Sequence, residues 1–107
     1  MAARNIGERE FQQMMEEGKT VLVDFWAPWC SYCRRIEAAY DKIAEEFGDR
    51  VEVVKVNIDE EPRFAEREQI EVIPTLAMYR GGEALGFMVA PESKAKIAEF
   101  VRETLGK

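Results

Sequence analysis

The order of apolar patterns along the chain predicts an α/β fold, a mixed central β-sheet sandwiched between helices, with the element order αβαβαββα. Three observations carry this expectation. Helix-period segments alternate with short β-branched runs, a Gly-Gly pair separates the last two runs, and 107 residues that are 47% hydrophobic leave room for one core. Residues 1–107 are therefore expected to form a single domain.

The elements follow in order. Ile6, Phe11, Met14 and Met15 share one side of a first helix, which Gly18 should end by taking the left-handed cap conformation. Val21 to Trp26 is a nearly continuous β-branched and aromatic run, suited to a strand buried on both faces. From about Ser31, the recurrence of Ile36, Tyr40, Ile43 and Phe47, with Gly48 just beyond, predicts one long amphipathic helix. Val51 to Ile58 returns to strand character, and Pro62 opens a short helix through about Glu68, since proline is tolerated in a first turn. Thr75 to Tyr79 and Glu83 to about Val89 flank Gly81-Gly82 and read as an antiparallel hairpin. Ser93 can cap a last helix carrying Ile97, Val101 and Leu105, although Lys96 leaves the capping box incomplete.

Composition excludes several functions. Fifteen basic against twenty-one acidic side chains give a formal net charge of −6, so neither nucleic acid nor an anionic membrane surface is an expected partner. The chain has no histidine, which rules out Ser-His-Asp and Cys-His catalysis. Two cysteines alone cannot supply the four ligands of a usual zinc site, and no metal is expected. The longest apolar stretch, Val21 to Trp29, is broken by Asp24 and Pro28 and is far short of the roughly 20 residues of a membrane span. Met1 to Phe11 carries recurrent charges and no apolar signal core, so a cytoplasmic location is expected.

Both cysteines lie in one tetrapeptide, Cys30-Ser31-Tyr32-Cys33, where the strand ending near Trp26 gives way to the long helix. Two cysteines scattered at random would show this spacing about one time in fifty, so the spacing is informative. The unpaired N–H groups of a helix start favour a thiolate, lowering a thiol pKa from about 8.5 toward about 3.5 to 7.5. Cys30, nearer the open end, gains most. Cys33, one turn later and more enclosed, is placed to resolve what Cys30 attacks. Two buried apolar thiols, a structural disulfide and half of an intermolecular zinc site are the competing readings. Each has a weakness: so short a loop constrains little of the unfolded chain, a cytosolic setting disfavours a permanent disulfide, and a shared zinc requires a symmetric dimer.

Val23-Asp24-Phe25-Trp26-Ala27-Pro28-Trp29-Cys30, followed by Ser31-Tyr32-Cys33-Arg34, strongly resembles the active-site segment of thioredoxins. Lys55-Val56-Asn57-Ile58-Asp59 resembles that family's third-strand segment, Val72-Ile73-Pro74-Thr75-Leu76 its cis-proline loop, and Arg80-Gly81-Gly82-Glu83 its hairpin. The resemblance runs in order along nearly the whole chain and implies the thioredoxin fold. It implies that Cys30 is the nucleophile, that Cys33 resolves the mixed disulfide, and that Trp29 flanks the nucleophile on the contact surface. Trp26 would pack beside the active-site helix, with Pro28 supporting the same loop, although core packing alone would explain either tryptophan.

Asp24 is a carboxylate inside an apolar run, where burial raises its pKa. The resemblance places it beneath Cys33, as acceptor of that thiol's proton, with Lys55 on the neighbouring strand tuning it. The alternative is that Asp24 and Lys55 merely satisfy each other as a pair. Pro74 would ordinarily be trans. The resemblance implies a cis bond against the cysteine pair, with Ile73 offering its backbone to an extended substrate.

The chain departs from the family pattern in three places. Ser31-Tyr32 replaces the usual Gly-Pro and approaches the Pro-Tyr of glutaredoxins, Arg34 replaces lysine with Arg35 adding a second cation, and Ala90 stands where a glycine lets partners approach. Ser31, Tyr32 and Ala90 are thus expected to shape substrate contact. Tyr32 in place of proline should loosen the turn and add a backbone donor near the Cys30 sulfur.

The expected function is a monomeric dithiol–disulfide oxidoreductase that reduces disulfide-containing proteins and is recharged by a separate reductase, a thioredoxin reductase on this resemblance, without a bound cofactor. A more oxidising, isomerase-like or glutathione-coupled exchanger is the alternative enzyme. A non-catalytic thioredoxin-like binding module is the alternative from another class.

Overall fold

The computed structural model describes residues 2–107. Ten elements follow one another: β1 (Arg4–Asn5), α1 (Glu8–Glu16), β2 (Thr20–Trp26), α2 (Ser31–Arg35), α3 (Glu37–Phe47), β3 (Glu52–Asn57), α4 (Pro62–Arg67), β4 (Thr75–Arg80), β5 (Glu83–Val89) and α5 (Lys94–Leu105). The strands form one sheet in the order β1-β3-β2-β4-β5. Strands β1, β3 and β2 are parallel, and β4 pairs antiparallel with both β2 and β5.

Alternation along β2 builds the two layers. Val21, Val23 and Phe25 point into a core with Phe11, Met14 and Met15 of α1 and Phe64 of α4. Leu22 points into the other, with Tyr40, Ile43 and Phe47 of α3 and Ile97, Phe100 and Val101 of α5. Every side chain from Val21 to Phe25 is buried, Asp24 included, as the nearly continuous apolar run requires of a strand covered on both faces. Each of its apolar side chains contributes about 1.5 to 3 kcal/mol by leaving water. Asp24 shares the face of Leu22 and so lies under the α2–α3 side.

The expected order αβαβαββα holds except at two places. Strand β1 was not expected: two exposed residues have no periodicity to read, and only pairing with Val54 and Lys55 defines it. Ile6, expected on the first helix, follows β1 instead and donates its N–H to the Lys55 carbonyl at 2.8 Å, while still packing with Phe11.

The second difference is the expected long helix, which is interrupted at Ile36 (φ −87, ψ −2) and becomes α2 and α3. No proline or glycine lies at the break, so local propensity cannot predict it. The two halves are tied to different supports. The first turn of α2 is held by the Cys30–Cys33 disulfide, whereas α3 is anchored by the Tyr40 hydroxyl, which donates to the Val54 carbonyl at 2.7 Å.

The remaining boundaries agree with the sequence. Pro62 starts α4, and Ser93 Oγ accepts the Lys96 N–H at 3.2 Å to cap α5. Gly81 and Gly82 join β4 to β5 at φ 56 and 95, the left-handed values that a tight two-residue hairpin imposes. No helix among the described residues is long and apolar enough to cross a membrane.

Candidate active site

Strand β2 ends at Trp26, and the segment through Cys30 carries the chain into α2. Cys30 is the N-cap of that helix: its backbone is extended (φ −87, ψ 107) and its Sγ accepts the Cys33 N–H at 3.2 Å. A sulfur thus takes the capping place usually filled by a hydroxyl or carboxylate oxygen. Cys30 and Cys33 are joined as a disulfide, with Cα atoms 5.3 Å apart. Cys30 is 8% exposed and Cys33 3%, the order expected of the open and enclosed ends. The backbone donor on the Cys30 sulfur belongs to Cys33 rather than to Tyr32, one residue later than the sequence suggested.

The loop after α4 closes on this pair. The Ile73–Pro74 bond is cis, and the Ile73 carbonyl oxygen lies 3.9 Å from Cys30 Sγ. No backbone hydrogen bond among the described residues engages the Ile73 N–H. Ala27, Cys30 and Cys33 form a small buried cluster, with Trp26, Ile58 and Ile73 against it.

The two tryptophans are fixed differently. Trp29 is 66% exposed and donates from Nε1 to Asp59 Oδ2 at 3.0 Å, while Asp59 itself is held by its N–H to Asn57 Oδ1. Trp26 is half-buried beside the cysteines and donates from Nε1 to Asn5 Oδ1 at 2.8 Å. Arg34 donates from Nη1 to the Pro28 carbonyl at 3.2 Å, which braces the loop between β2 and α2. Ser31 and Arg35 are exposed, and the Tyr32 hydroxyl donates to the Pro91 carbonyl at 2.8 Å. The sequence reading assigned no role to Asn5, Asp59 or Pro91. Asp59 ends the third-strand segment, a position that marks it for attention, whereas Asn5 sits in an element too short to recognise.

Asp24 is 2% exposed, and its Oδ1 has no protein donor. Burial pushes its pKa up to about 7; Lys55 opposes the rise and Glu37 at the start of α3 adds to it. Asp24 and Lys55 are register partners on β2 and β3. Among the described residues no ion pair joins them, and the Lys55 ammonium lies over the Trp26 ring, 5.2 Å from its centroid. Desolvation therefore outweighs the lysine's attraction, and the pair does not satisfy itself by direct contact.

Ala90 adopts φ 44, a conformation that costs an alanine about 1 to 2 kcal/mol, and its N–H donates to the Pro74 carbonyl at 2.8 Å. Ala90→Gly is expected to raise stability by about 0.5 to 1 kcal/mol, the relief of strain exceeding the added entropy of the unfolded chain. A higher denaturant midpoint at unchanged slope is the expected reading.

A disulfide capping a helix at the end of a central strand, with Ile73 of a cis Ile73–Pro74 bond packed against it, defines a thiol–disulfide exchange protein of the thioredoxin fold. The family model described as Thioredoxin matches residues 3–103. The chain belongs to the thioredoxin family and is a dithiol–disulfide oxidoreductase whose redox pair is Cys30 and Cys33. It is 36% identical over 105 residues to thioredoxin 1 of Nostoc sp., covering 97% of this chain and 98% of that one. It is 42% identical over 94 residues to thioredoxin 1 of Synechococcus elongatus, covering 88% of each. Among solved structures, the Malassezia sympodialis thioredoxin superposes with a TM-score of 0.86 at 28% identity, over 97% of this chain and 94% of that one. The oxidised mitochondrial thioredoxin 3 of Saccharomyces cerevisiae gives 0.82 at 20% identity over 95% and 94%, which bears on the fold alone.

Proposed function

We propose that this chain works in the reducing direction, as a cytoplasmic electron carrier that opens disulfides in other proteins, with one domain over residues 1–107 carrying the activity. The observation that supports this most is Cys30 capping α2 beside exposed Trp29 and the free N–H of Ile73. In the reduced protein the Cys30 thiolate attacks one sulfur of a substrate disulfide. A new S–S bond forms to Cys30, the substrate bond breaks, and the departing sulfur leaves as a thiolate. Cys33, deprotonated by Asp24, then attacks Cys30 Sγ, forms the intramolecular disulfide and releases the second substrate thiolate, so two electrons pass to the substrate. Asp24 suits this task because a base whose pKa lies near 7 can both take and return a proton near neutrality.

Lys55 tunes Asp24 through space and holds Trp26 through its ring. Trp26 and Pro28 keep the helix start in place, while Trp29, Ser31, Tyr32, Ile73, Pro74 and Ala90 form the face that meets the substrate. The chain works as a monomer with no bound cofactor, and a separate reductase supplies two electrons and two protons to the disulfide for the next cycle. Mixing the protein with insulin and dithiothreitol tests this reading. Accelerated insulin precipitation is expected, and a rate equal to dithiothreitol alone would leave only a binding module.

Ser31-Tyr32 also shifts the redox poise. Proline at position 32 would fix φ and leave the Cys33 N–H bond in place, but would remove one further N–H dipole from the open end of α2, whose combined field favours the Cys30 thiolate. The wild type is therefore expected to have a potential less negative than Ser31→Gly/Tyr32→Pro by about 30 to 60 mV, or about 1.4 to 2.8 kcal/mol for the two-electron couple. Equilibration of both proteins with a glutathione redox buffer checks this, and an equal or more negative wild-type potential would refute it.

A further inference from the structure

Tyr32 makes a contact that lies outside the redox pair. Its hydroxyl, donating to the Pro91 carbonyl at 2.8 Å, crosses from the first turn of α2 to the turn that joins β5 to α5. That turn is tied to the site once more, by the Ala90 N–H on the Pro74 carbonyl at 2.8 Å. Among the described residues no other side-chain hydrogen bond reaches Ala90 or Pro91. Ala90 is held at φ 44, an unfavourable conformation for alanine that persists only where the surroundings enforce it. The start of α2, the Ile73-Pro74 loop and the Ala90-Pro91 turn are thus linked in series around Cys30.

Building on the reading of this face as a surface for protein disulfides, we propose that Tyr32 is a positioning residue that sets substrate selectivity. Its hydroxyl holds the Ala90-Pro91 turn against the start of α2, on the face that carries the free N–H of Ile73, so that this face is shaped before a substrate arrives. The favoured class is a disulfide carried on extended polypeptide, whose main chain can bond Ile73 while its flanking residues lie along the turn. A small disulfide that meets only the Cys30 sulfur gains nothing from this arrangement. Phenylalanine or proline at position 32 would leave the Pro91 carbonyl without its donor.

Tyr32→Phe deletes one oxygen and keeps the ring. The ratio of kcat/KM for insulin to kcat/KM for a small aryl disulfide is expected to fall about fivefold, in line with one net hydrogen bond, with the loss for insulin residing in KM rather than kcat. Amide exchange at Ala90 is expected to quicken by a similar factor, while β2 amides keep their protection and so report an intact fold. An unchanged ratio, or an equal loss towards both disulfides, overturns the proposal, the latter by placing the effect of the hydroxyl on the cysteines themselves. Failure of the wild type towards both disulfides would remove the reductase reading and this selectivity with it.

Discussion

Cys30→Ser is expected to abolish turnover, whereas Cys33→Ser should still attack substrate and then remain covalently attached to it. The asymmetry follows from the capping geometry. Cys30 Sγ receives the Cys33 N–H at 3.2 Å and stands at the more exposed end of the pair, so it is the sulfur with both activation and access. Without Cys33 no internal thiol can displace the substrate, and the mixed disulfide persists until an external thiol cleaves it. Intact mass spectrometry after mixing with a disulfide substrate checks this. The Cys33→Ser protein should gain the mass of one substrate thiol, lose it on adding dithiothreitol, and show no steady-state turnover above background. Trapping by Cys30→Ser and not by Cys33→Ser would reverse the two roles, and equal trapping by both would remove the asymmetry.

Asp24→Asn is expected to change stability and kinetics in opposite senses. Because burial raises the folded-state pKa from 3.8 to about 7, the folded chain binds a proton that the unfolded chain releases more readily. The stability associated with the protonated carboxyl is fully present below about pH 4 and is lost as pH rises through about 7. Asparagine does not titrate, so the variant should match the wild type near pH 4 and exceed it above pH 7. The expected gain is about 2 to 4 kcal/mol, the upper end corresponding to the full shift and the lower end to the residual cost of burying an unpaired amide. Denaturant unfolding of the oxidised proteins at a series of pH values reads this directly. Over the same range, resolution by Cys33 should slow in the variant, most at pH values near and below neutrality where an internal base matters most. Unchanged kinetics between pH 6 and 9 would leave Asp24 without a role as base.

The parts of the fold that were legible in the sequence are those in which a local pattern and the tertiary structure make the same demand. Val21, Leu22, Val23 and Phe25 must be apolar because two helical layers cover them, and that need is written as a run that only Asp24 interrupts. Gly81-Gly82 and Ser93 likewise carry local chemistry that the hairpin and the last helix use as expected. Strand β1 and the break at Ile36 were not legible, since each is imposed by contacts distant in sequence: the pairing of Arg4 and Asn5 with β3, and the separate anchoring of α2 and α3. The site shows the same division. Cys30, Cys33 and Asp24 stand out by spacing and by chemical contrast, but the partners that fix the surrounding side chains, Asn5 for Trp26, Asp59 for Trp29 and Pro91 for Tyr32, lie 21, 30 and 59 positions away. Nothing local marks them. Lys55 is an intermediate case, correctly placed opposite Asp24 by strand register, yet turned toward the Trp26 ring instead of the carboxylate.

The central claim is that the two sulfurs are unequal, with Cys30 the attacking thiol. Its most direct test is competitive alkylation of the fully reduced protein with substoichiometric iodoacetamide at mildly acidic pH, followed by peptide mass spectrometry. A thiolate reacts and a thiol does not, so the order of labelling reports which sulfur the helix start stabilises. Label is expected on Cys30 first, with Cys33 modified only as pH rises. Label on Cys33 ahead of Cys30 would contradict the assignment.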